Sequence, residues 1–546
     1  MRAAVPTFAV ALTRYRTLAR SHRTVLDTET AAADIVTWAK VIDHTRCIGC
    51  HACTTACKSE NEVPLSVTRT YVKYVDIGNF PRTRRAFQVT RCNQCDHAPC
   101  VTACPTNAMF RRPDGIVDFD KSICIGCKAC IAACPYDAIF INPDDHSAEK
   151  CNFCAHRIDV GLEPACVVVC PTEAILVGDM NDPMSRVSRI IHHDAVMVRR
   201  PEKETRPKLF YKGAHQLTLD PLAARRPGGG LFLWSEQREG NGIVNSGHPD
   251  MRNSSAAALL SYDIAHCAPW DWRVSLYTWT KGLATGVYLM ALGLALAGLL
   301  PWNSPWVQLL APALGLLFLA ITGVLLIADL EHPERFHMIF TRPQWRSWLV
   351  RGAFIITAYA AVLVLHIVLA IVGRAHVIPA VAVVLGMPLA TLTAVYTAYL
   401  FAQAKARDLW QNPLGPAHLM VQALLVGTAL MGALEVVRAT VQSAPDGLRT
   451  NPVMGVLLAS MAILSALHLL LLAGEHTLTH GTAHARLAAH EMTRGRFGRW
   501  FKAGLIFTAM GVLAPWLGPW TTLPVLVGVL AYEHAYVQAG QAVPLA

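Results

Sequence analysis

Long apolar runs separated by short polar breaks fill the chain from about Ser275 to its end. A helix needs about 20 apolar residues to cross the hydrocarbon core of a bilayer. Eight runs approach or reach that length, and the seventh is the shortest. They lie near residues 275–300, 305–328, 348–373, 377–402, 417–438, 452–473, 500–517 and 519–539. The pattern therefore predicts an all-α polytopic membrane domain of eight transmembrane helices over residues 272–546.

The first half of the chain has no such run and is marked by cysteine. Of the 17 cysteines, all but Cys267 lie between Cys47 and Cys170. We expect an N-terminal extension over residues 1–39, a compact metal-binding domain over 40–185 and a linker over 186–271. The linker has low apolar content, so we expect it to wrap the domain or a partner, although an independently functional element stays open. Cys267 is expected to be a lone thiol.

The remaining cysteines fall into four groups of four. The first and third groups share the spacing C-x2-C-x2-C-x3-C, whereas the second and fourth groups have a wider middle gap. The groups are Cys47, Cys50, Cys53, Cys57; Cys92, Cys95, Cys100, Cys104; Cys124, Cys127, Cys130, Cys134; and Cys151, Cys154, Cys166, Cys170. Proline follows the last cysteine of three groups, where the first turn of a helix tolerates it.

This spacing is typical of [4Fe–4S] clusters. Three cysteines two residues apart wrap a tight loop around one cluster, and the fourth reaches the other cluster of a pair. A disulfide scaffold suits a small secreted domain rather than a long chain with membrane spans. A structural zinc site uses two CxxC pairs without the third cysteine or the proline. We therefore predict four [4Fe–4S] clusters.

Residues 40–180, with the repeated units CPTNAM, CPYDAI and CPTEAI, resemble the four-cluster ferredoxin subunit of the molybdopterin oxidoreductases, such as dimethyl-sulfoxide and polysulfide reductases. The resemblance implies an α+β double-ferredoxin iron–sulfur domain in which motifs one and four are paired, as are motifs two and three. The implied ligand sets are Cys47, Cys50, Cys53 with Cys170; Cys151, Cys154, Cys166 with Cys57; Cys92, Cys95, Cys100 with Cys134; and Cys124, Cys127, Cys130 with Cys104. No cysteine is replaced, so no three-iron cluster is expected.

Composition and charge agree with a membrane protein and argue against nucleic-acid binding. Hydrophobic residues make up 53% of the chain and charged residues 16%, against about 25% charged in a soluble domain. The net charge is +10, but the basic residues do not alternate with stacking aromatic residues on a compact polar fold. The charged residues of the C-terminal half lie in loops between apolar runs. Residues 1–22 lack the apolar core and cleavage site of an export signal.

Polar residues inside transmembrane segments are costly and are therefore candidates for function. Most of them gather at the ends of runs that face the cysteine motifs. They are Tyr277, Lys281, Asp329, Glu331, His332, Tyr396, Tyr399, Glu475, His476, Glu533 and His534. Lys281 and Asp329 lie deepest, so we predict that they are catalytic, whereas residues nearer the ends also fit simple snorkelling into water.

A second polar set, His366, Glu435, Arg438 and His468, lies further from that face. Glu435 and Arg438 are three residues apart, so an intrahelical ion pair and a proton relay both fit them. Two histidines ligate one haem only from facing positions at matched depth, and we expect no haem.

The segments SLYTWTKG (275–282), DLEHPERF (329–336) and AGQAVPL (539–545) resemble the NrfD/polysulfide-reductase membrane-subunit family. The resemblance implies eight or more spans and a site for quinone, menaquinone or ubiquinone, near the iron–sulfur face. Its quinone residues fall here on Tyr277 and Lys281 and on Tyr396 or Tyr399. With Asp329 and His332 these residues form the predicted quinone site.

Positive charge orients the membrane domain. Loops on the iron–sulfur face are rich in arginine and lysine, whereas the opposite loops have little beyond Arg374 and Arg449. Cytoplasmic loops carry the excess of positive charge. We therefore expect a multi-pass protein of the cell inner membrane with its iron–sulfur domain in the cytoplasm.

Together these features predict an electron-transfer and membrane-anchor subunit of a respiratory oxidoreductase. Electrons would pass through four clusters between a separate catalytic subunit and the quinone pool. The catalyst is expected on a partner of the molybdopterin type, with a hydrogenase large subunit as the alternative. A passive membrane anchor and electron wire without its own quinone site stays open, and so does proton pumping through Glu435 and His468.

Overall fold

The computed structural model describes residues 36–78, 81–224, 258–441, 452–477 and 480–546. Within these ranges short helices and strands come first, and long apolar helices begin at Trp272. We call the first part, residues 36–224 with the strand Leu259–Tyr262, the cysteine-rich domain. Most of the expected N-terminal extension, the RRPGGG segment and Arg449 lie outside the described residues.

The cysteine-rich domain is an α+β domain with short strands. Its described strands are β1 Trp38–Asp43, β2 Thr70–Ile77, β3 Arg84–Arg91, β4 Met109–Arg111, β5 Val117–Phe119, β6 Ile139–Ile141, β7 Ala148–Lys150, β8 Ile175–Asp179, β9 Val196–Met197, β10 Leu209–Lys212 and β11 Leu259–Tyr262. They form a four-stranded sheet in the order β8-β1-β10-β9, a three-stranded sheet β11-β2-β3, and the hairpins β4-β5 and β6-β7. The sheets hold the cysteine motifs, which lie in the connections between strands.

The segment expected to be a linker, residues 186–271, contributes directly to these sheets. β10 pairs in parallel with β1, with Val41 opposite Phe210, and β11 extends the β2-β3 hairpin, with Leu260 opposite Val75. Both additions satisfy backbone groups that an edge strand would otherwise leave unpaired. The described part of this segment therefore wraps around the cysteine-rich domain as part of its fold.

Short helices begin inside the cysteine motifs. They are α1 Ala52–Glu60, α2 Pro99–Ala103, α3 Ala129–Ala133, α4 Ala155–Ile158 and α5 Ala165–Val168, and two further helices, α6 Arg186–His193 and α7 Gln216–Leu219, follow after the last motif. The residues before α1, α3 and α4, His51, Lys128 and Cys154, have left-handed φ angles of 61°, 60° and 55°. This sharp turn at each helix start curls the CxxC loop so that its thiols converge.

Six helices among the described residues are long and apolar enough to cross a membrane. They are α8 Trp272–Leu296, α9 Trp306–Ala328, α10 Trp348–Ile371, α11 Ala375–Gln403, α12 Gly415–Val441 and α13 Pro452–Thr477. Helix α14 Ala483–Thr493 follows, and then α15 Gly498–Val512 and α16 Thr522–Gln541 occupy the seventh and eighth predicted runs. A polytopic helical membrane region is therefore present, but length and apolarity support six crossing helices rather than the eight expected.

Helix α8 lies at the centre of the membrane region. In its apolar window 78% of the residues are buried, compared with 17% in α10. It packs closely on α12, because a Cβ added at Gly286 would overlap the carbonyl oxygen of Ala423. This close packing brings the polar residues of α8 against α12 and its neighbours.

Candidate functional site

Two cavities in the cysteine-rich domain are each surrounded by four cysteines. The first, of about 360 Å³, has the thiols of Cys104, Cys124, Cys127 and Cys130. The second, of about 340 Å³, has those of Cys47, Cys50, Cys53 and Cys170. In each cavity three thiols come from one motif and the fourth comes from the end of another. These are two of the four ligand sets that the sequence resemblance implies.

The other eight motif thiols form two groups of electrostatic neighbours. Cys57 interacts with Cys151, Cys154 and Cys166, and Cys100 interacts with Cys92, Cys95 and Cys134. Burial raises the pKa of Cys134 to about 11 because a thiolate there loses its hydration. Bound iron offsets this cost, since the thiolate is the form that ligates metal.

The backbone around the thiols fits iron–sulfur clusters as well. The amide N–H of Met109 donates to Cys104 Sγ at 3.4 Å, and that of Ala174 donates to Cys170 Sγ at 3.2 Å. Hydrogen bonds to ligating sulfur are one of the means by which a protein sets a cluster's potential. Among the described residues, no three His, Cys, Asp or Glu side chains converge as a single metal ion requires. The thiols surround cavities instead.

The two cavities differ in their access to solvent. In the cavity of Cys47, Cys50 and Cys170, Cys50 is exposed and the other two are half-buried. In the cavity of Cys104 and Cys124 every thiol is buried. One thiol set therefore lies at the surface of the cysteine-rich domain, and another is enclosed in its interior.

The enclosed cavity of Cys104 and Cys124 faces the membrane helices. Lys128 Nζ, beside the cavity of Cys104, pairs with Glu331 at 3.0 Å and with Asp329 at 3.7 Å. A Cβ at Gly126, in the same loop, would overlap Glu331 Cβ. The end of α9 and the residues after it therefore dock against a cysteine motif. Burial raises the pKa of Asp329 to about 6, against the opposing influence of the Lys128 charge.

Three aromatic rings connect this motif to the membrane interior. Trp270 Nε1 donates to the carbonyl oxygen of Cys127 at 3.2 Å. The Trp270 ring stacks on Trp410, with centroids 5.5 Å apart, and Trp410 stacks on Phe401 at 4.9 Å. Trp410 and Phe401 line a cavity of about 400 Å³ between the helices. A continuous set of contacts therefore runs from a cluster motif to this cavity.

Lys281 lies in the middle of the helices with 1% of its surface exposed. Its Nζ donates to Thr397 Oγ1 at 2.7 Å and to the carbonyl oxygen of Ala394 at 2.8 Å. The ammonium group also lies 5.0 Å from the centroid of the Tyr396 ring. Glu533 of α16 is buried and interacts electrostatically with Lys281.

Two adjoining cavities meet beside this lysine. One, of about 230 Å³, is lined by Lys281, Thr278 and Glu533, and the 400 Å³ cavity is lined by His418 and Glu475. The two cavities share the lining residues Leu419, Gln422 and Glu533. They therefore form one polar space between helices α8, α12 and α16.

Sequence reasoning did not select several residues of this space. The His418 ring lies between two partners: its Nδ1 is 2.9 Å from Glu475 Oε1, and its Nε2 is 2.8 Å from His468 Nδ1. Asn412 donates to Glu475 Oε1 at 2.6 Å. Tyr532 donates to Glu475 Oε2 at 3.2 Å. The available signal was that His418 and Gln422 are four residues apart on one side of an otherwise apolar helix.

The structure places the predicted quinone residues in different surroundings. Tyr277, Lys281 and Tyr396 are buried together where α8 meets α11. Asp329 and His332 lie at the contact with the cysteine-rich domain, where His332 Nε2 is 2.8 Å from the Asp145 carbonyl oxygen. Tyr399 is 42% exposed and stacks on Trp348.

The second polar set, predicted to lie further from the iron–sulfur face, is also divided among different surroundings. His366 is 3.0 Å from the Tyr288 hydroxyl, and Glu435 accepts a hydrogen bond from Trp306 Nε1. Arg438 and Glu435 form an ion pair at 3.7 Å. None of these four residues lines the cavities beside Lys281, whereas His468 joins His418 next to them.

Two family models match different parts of the chain. Residues 83–180 match the model described as 4Fe-4S dicluster domain. Residues 263–529 match the model described as Polysulphide reductase, NrfD. The first match covers three of the four cysteine motifs from Cys92 on, and the second covers helices α8 to α15 with the start of α16.

Curated relatives match the cysteine-rich part. A tetrathionate reductase subunit of Salmonella typhimurium is 42% identical over 207 residues, which are 36% of this chain and 80% of that protein. A polysulfide reductase component of Wolinella succinogenes is 42% identical over 171 residues, 31% of this chain and 90% of that protein. A putative dimethyl sulfoxide reductase iron-sulfur subunit of Halobacterium salinarum is 39% identical, over 31% of this chain and 77% of that protein.

Proposed function

Because this protein belongs to the family of iron–sulfur subunits of reductase complexes, fused to an NrfD-type membrane region, we propose that it conducts electrons between a separate catalytic subunit and quinone in the membrane. Four [4Fe–4S] clusters, bound by the sixteen motif cysteines in the implied sets, pass single electrons. The catalytic partner is of the molybdopterin type, with a hydrogenase large subunit as the alternative. The quinone is menaquinone or ubiquinone.

The docking of one cysteine motif on the membrane helices carries this proposal. Trp270 and Lys128 hold the loop of Cys124 and Cys127 against the helices that enclose the polar space. The exposed Cys50 marks the other end of the row, where a soluble partner has access. Electrons can therefore pass in either direction between this surface and the membrane.

The polar space beside Lys281 is the quinone site in this proposal. Buried ionisable groups in a membrane region are costly unless they act on a ligand or on one another. Lys281, Glu533, Gln422 and His418 line the space, and Tyr396 lies behind the Lys281 ammonium, outside the lining of both cavities. Gln422 Oε1 has no hydrogen-bond partner among the described residues, so it can accept a bond from the hydroxyl of a bound quinol. Asp329 and His332 act at the docking surface instead of against the ring.

Protons must reach or leave the quinone oxygens as it exchanges two electrons and two protons with the pool. The Lys281 ammonium and the Glu533 carboxyl face the space and are suited to give and take these protons. The hydrogen-bonded group of His418, Glu475 and Asn412 connects the larger cavity to the end of α13, which lies on the iron–sulfur face. These side chains exclude bulk water from the site while leaving a polar path to its edge.

Two substitutions in the polar space, Glu533→Gln and Lys281→Met, test the quinone site, with Glu435→Gln outside it as the control. Glu533→Gln and Lys281→Met are expected to lower quinol-linked turnover about 100-fold, the lower range for loss of a general acid–base group. Glu435→Gln is the control, because Glu435 is equally buried but bonds to Trp306 outside both cavities. Turnover is measured with a soluble electron donor and a quinone analogue, and iron and acid-labile sulfide are measured in each variant.

The passive-anchor alternative makes the opposite prediction. Unchanged turnover in Lys281→Met and Glu533→Gln, with full iron content, would assign the membrane region to anchoring alone. Zinc in place of iron in the wild-type protein would contradict the cluster proposal itself.

We also propose a topology for the complex. Helices α15 and α16 complete eight spans, because exposed apolar side chains line both of them, including Leu505, Ile506, Leu523 and Val527. Arg486 lies in α14, and Arg494 and Arg496 lie in the loop between α14 and α15, on the face of the cysteine-rich domain, where Leu222 packs against α14. The positive-inside rule then places that face in the cytoplasm, with the helices in the inner membrane.

A further inference from the structure

Two buried cations meet a single cysteine in the cysteine-rich domain. Arg91, the last residue of β3, donates from Nη1 to Cys166 Sγ at 2.9 Å. Lys40, in the middle of β1, approaches the same sulfur with Nζ at 3.9 Å. Arg91 is 1% exposed and Lys40 is 2% exposed. Both charges are therefore held by strands β3 and β1 in a place that water does not reach.

These two cations have no carboxylate partner among the described residues. Nε and Nη2 of Arg91 are buried without any hydrogen-bond acceptor. Lys40 Nζ lies over the ring of Phe153, 4.0 Å from its centroid. An unpaired buried cation costs several kcal/mol, so a purely structural role would leave this cost uncompensated. The anionic sulfur of Cys166 is the negative group that the geometry offers them.

Other lysines close to cysteine motifs have different partners. Lys128 pairs with Glu331 at 3.0 Å, and Lys208 pairs with Asp96 at 2.7 Å. Lys150 is buried, its Nζ donates to the carbonyl oxygens of Val117 and Cys151, and its charge also acts on Cys92 and Cys100. At Cys166, in contrast, two buried cations lie against one sulfur, and one of them donates a hydrogen bond to it.

We propose that Arg91 and Lys40 raise the reduction potential of the cluster that Cys166 helps to bind, and that this cluster is the electron reservoir of the row. The inference rests on the proposed function and on the ligand set of Cys57, Cys151, Cys154 and Cys166. A cluster with four thiolates is an anion, and one added electron increases its negative charge. A fixed positive charge close to the sulfur therefore stabilises the reduced form more than the oxidised form.

The reservoir has a definite place in the electron path. The cluster takes one electron from a neighbouring cluster on one side and later gives it to the neighbour on the other side, in whichever direction the row conducts, so no other co-reactant is needed. Because its potential is higher, it stays reduced while its neighbours are oxidised. The first electron of each pair is then held inside the protein until the second arrives.

Potentiometric titration of the clusters, followed by electron paramagnetic resonance, tests the proposal on the purified full-length protein. Arg91→Gln is expected to lower one midpoint potential by at least about 59 mV, a tenfold change in the reduced-to-oxidised ratio for one electron. Arg91→Lys keeps the charge and is expected to shift it less. Arg85→Gln is the matched control, because Arg85 lies on the same strand but is exposed and paired with Asp76.

Cluster content separates the possible outcomes. If Arg91→Gln loses iron, the proposal is tested with Lys40→Gln instead. A smaller downward shift of the same midpoint potential in that variant supports the proposal. The signal is identified by Cys154→Ser, which alters the same cluster. Four unchanged potentials in Lys40→Gln, or a shift confined to a signal that Cys154→Ser leaves intact, would overturn the inference. Neither result affects the proposed function, which fails only if the wild-type protein lacks the clusters or does not react with quinone.

Discussion

His266 shows how one side chain fastens the two halves of the protein together. It lies just before the first membrane helix and is buried between Asp137 of the cysteine-rich domain and Asp263, which is 3.2 Å from its Nε2. Burial alone would lower the pKa of His266, but the charges of Asp263 and Asp137 raise it to about 9. The histidine is therefore positively charged at neutral pH and forms a buried triad with the two carboxylates.

This triad predicts a loss of stability at alkaline pH. A histidine in the unfolded chain titrates near pH 6.5, so the stabilisation from His266 is complete below that pH and is lost as pH rises through about 9. His266→Ala is expected to cost about 3–5 kcal/mol at pH 7, because it removes the buried cation that lies between Asp137 and Asp263. Thermal unfolding in detergent, measured from pH 6 to 10, checks both effects.

The matched control for this prediction is His193→Ala. His193 lies at the exposed end of α6, so its removal leaves the alkaline transition unchanged. Persistence of the same transition in His266→Ala would show that another group titrates there.

Among the helices, the pairing of α8 with α12 fixes where the buried lysine lies. Gly286 and Gly427 face one another so closely that a Cβ on Gly427 would overlap the carbonyl carbon of Gly286. Small residues at such contacts let two helix backbones approach within a membrane. The close approach sets Lys281 of α8 beside Gln422 of α12, both of which line one cavity.

Substitution of these glycines is expected to separate the two helices. Gly286→Val places side-chain atoms inside the backbone of α12 and is expected to cost about 3 kcal/mol or more. Gly293→Val, on the same helix, is the control, since no atom lies within 4 Å of a Cβ there. The melting temperatures of both variants in detergent give the comparison. Equal stability of the two would mean that α8 and α12 are not packed as described.

At the scale of the whole molecule, three separate segments contact one another at the iron–sulfur face. Arg199 donates to the carbonyl oxygen of Leu545, and Arg407 donates to that of Gln541, so the end of the chain is held under the cysteine-rich domain. Lys203 pairs with Asp408 across the same junction. The two halves are therefore joined by contacts as well as by the covalent connection, which fixes the distance between the last thiol group and the membrane interior.

Reversing one charge at this junction is expected to weaken electron delivery without damaging the clusters. Glu331→Arg places a positive charge against Lys128, and like charges in such contact cost several kcal/mol. Dithionite is expected to reduce the clusters normally, while transfer from the clusters to quinone slows. Rapid-mixing absorbance measurements follow both steps.

Glu334→Arg serves as the control for this prediction. Glu334 is 63% exposed and pairs only within its own segment, with His332 and Arg335. Equal transfer rates in the two variants would place the electron exit somewhere other than the Lys128 contact.

Much of the site was predictable because its chemistry is carried by spacing along the chain. The cysteine motifs and the CPxxA units predicted an iron–sulfur domain, and the apolar runs predicted a helical membrane region; both are confirmed. Lys281 was predicted to matter because an ammonium inside an apolar run needs partners, which Thr397 and Ala394 provide. His418 was missed because its partners, Glu475 and His468, lie on another helix and no local pattern connects them.

The amino-acid sequence alone determined the elements whose signals are local. Motif spacing depends on a few consecutive residues, and a membrane helix depends on about 20. Only the tertiary structure decided which distant groups meet. It put β10 beside β1, placed Asp329 against Lys128 and Tyr399 against Trp348, and brought Arg91 and Lys40 onto one sulfur. Such meetings depend on packing between segments far apart in the chain, and the periodicity of a single segment contains no information about its neighbours in space.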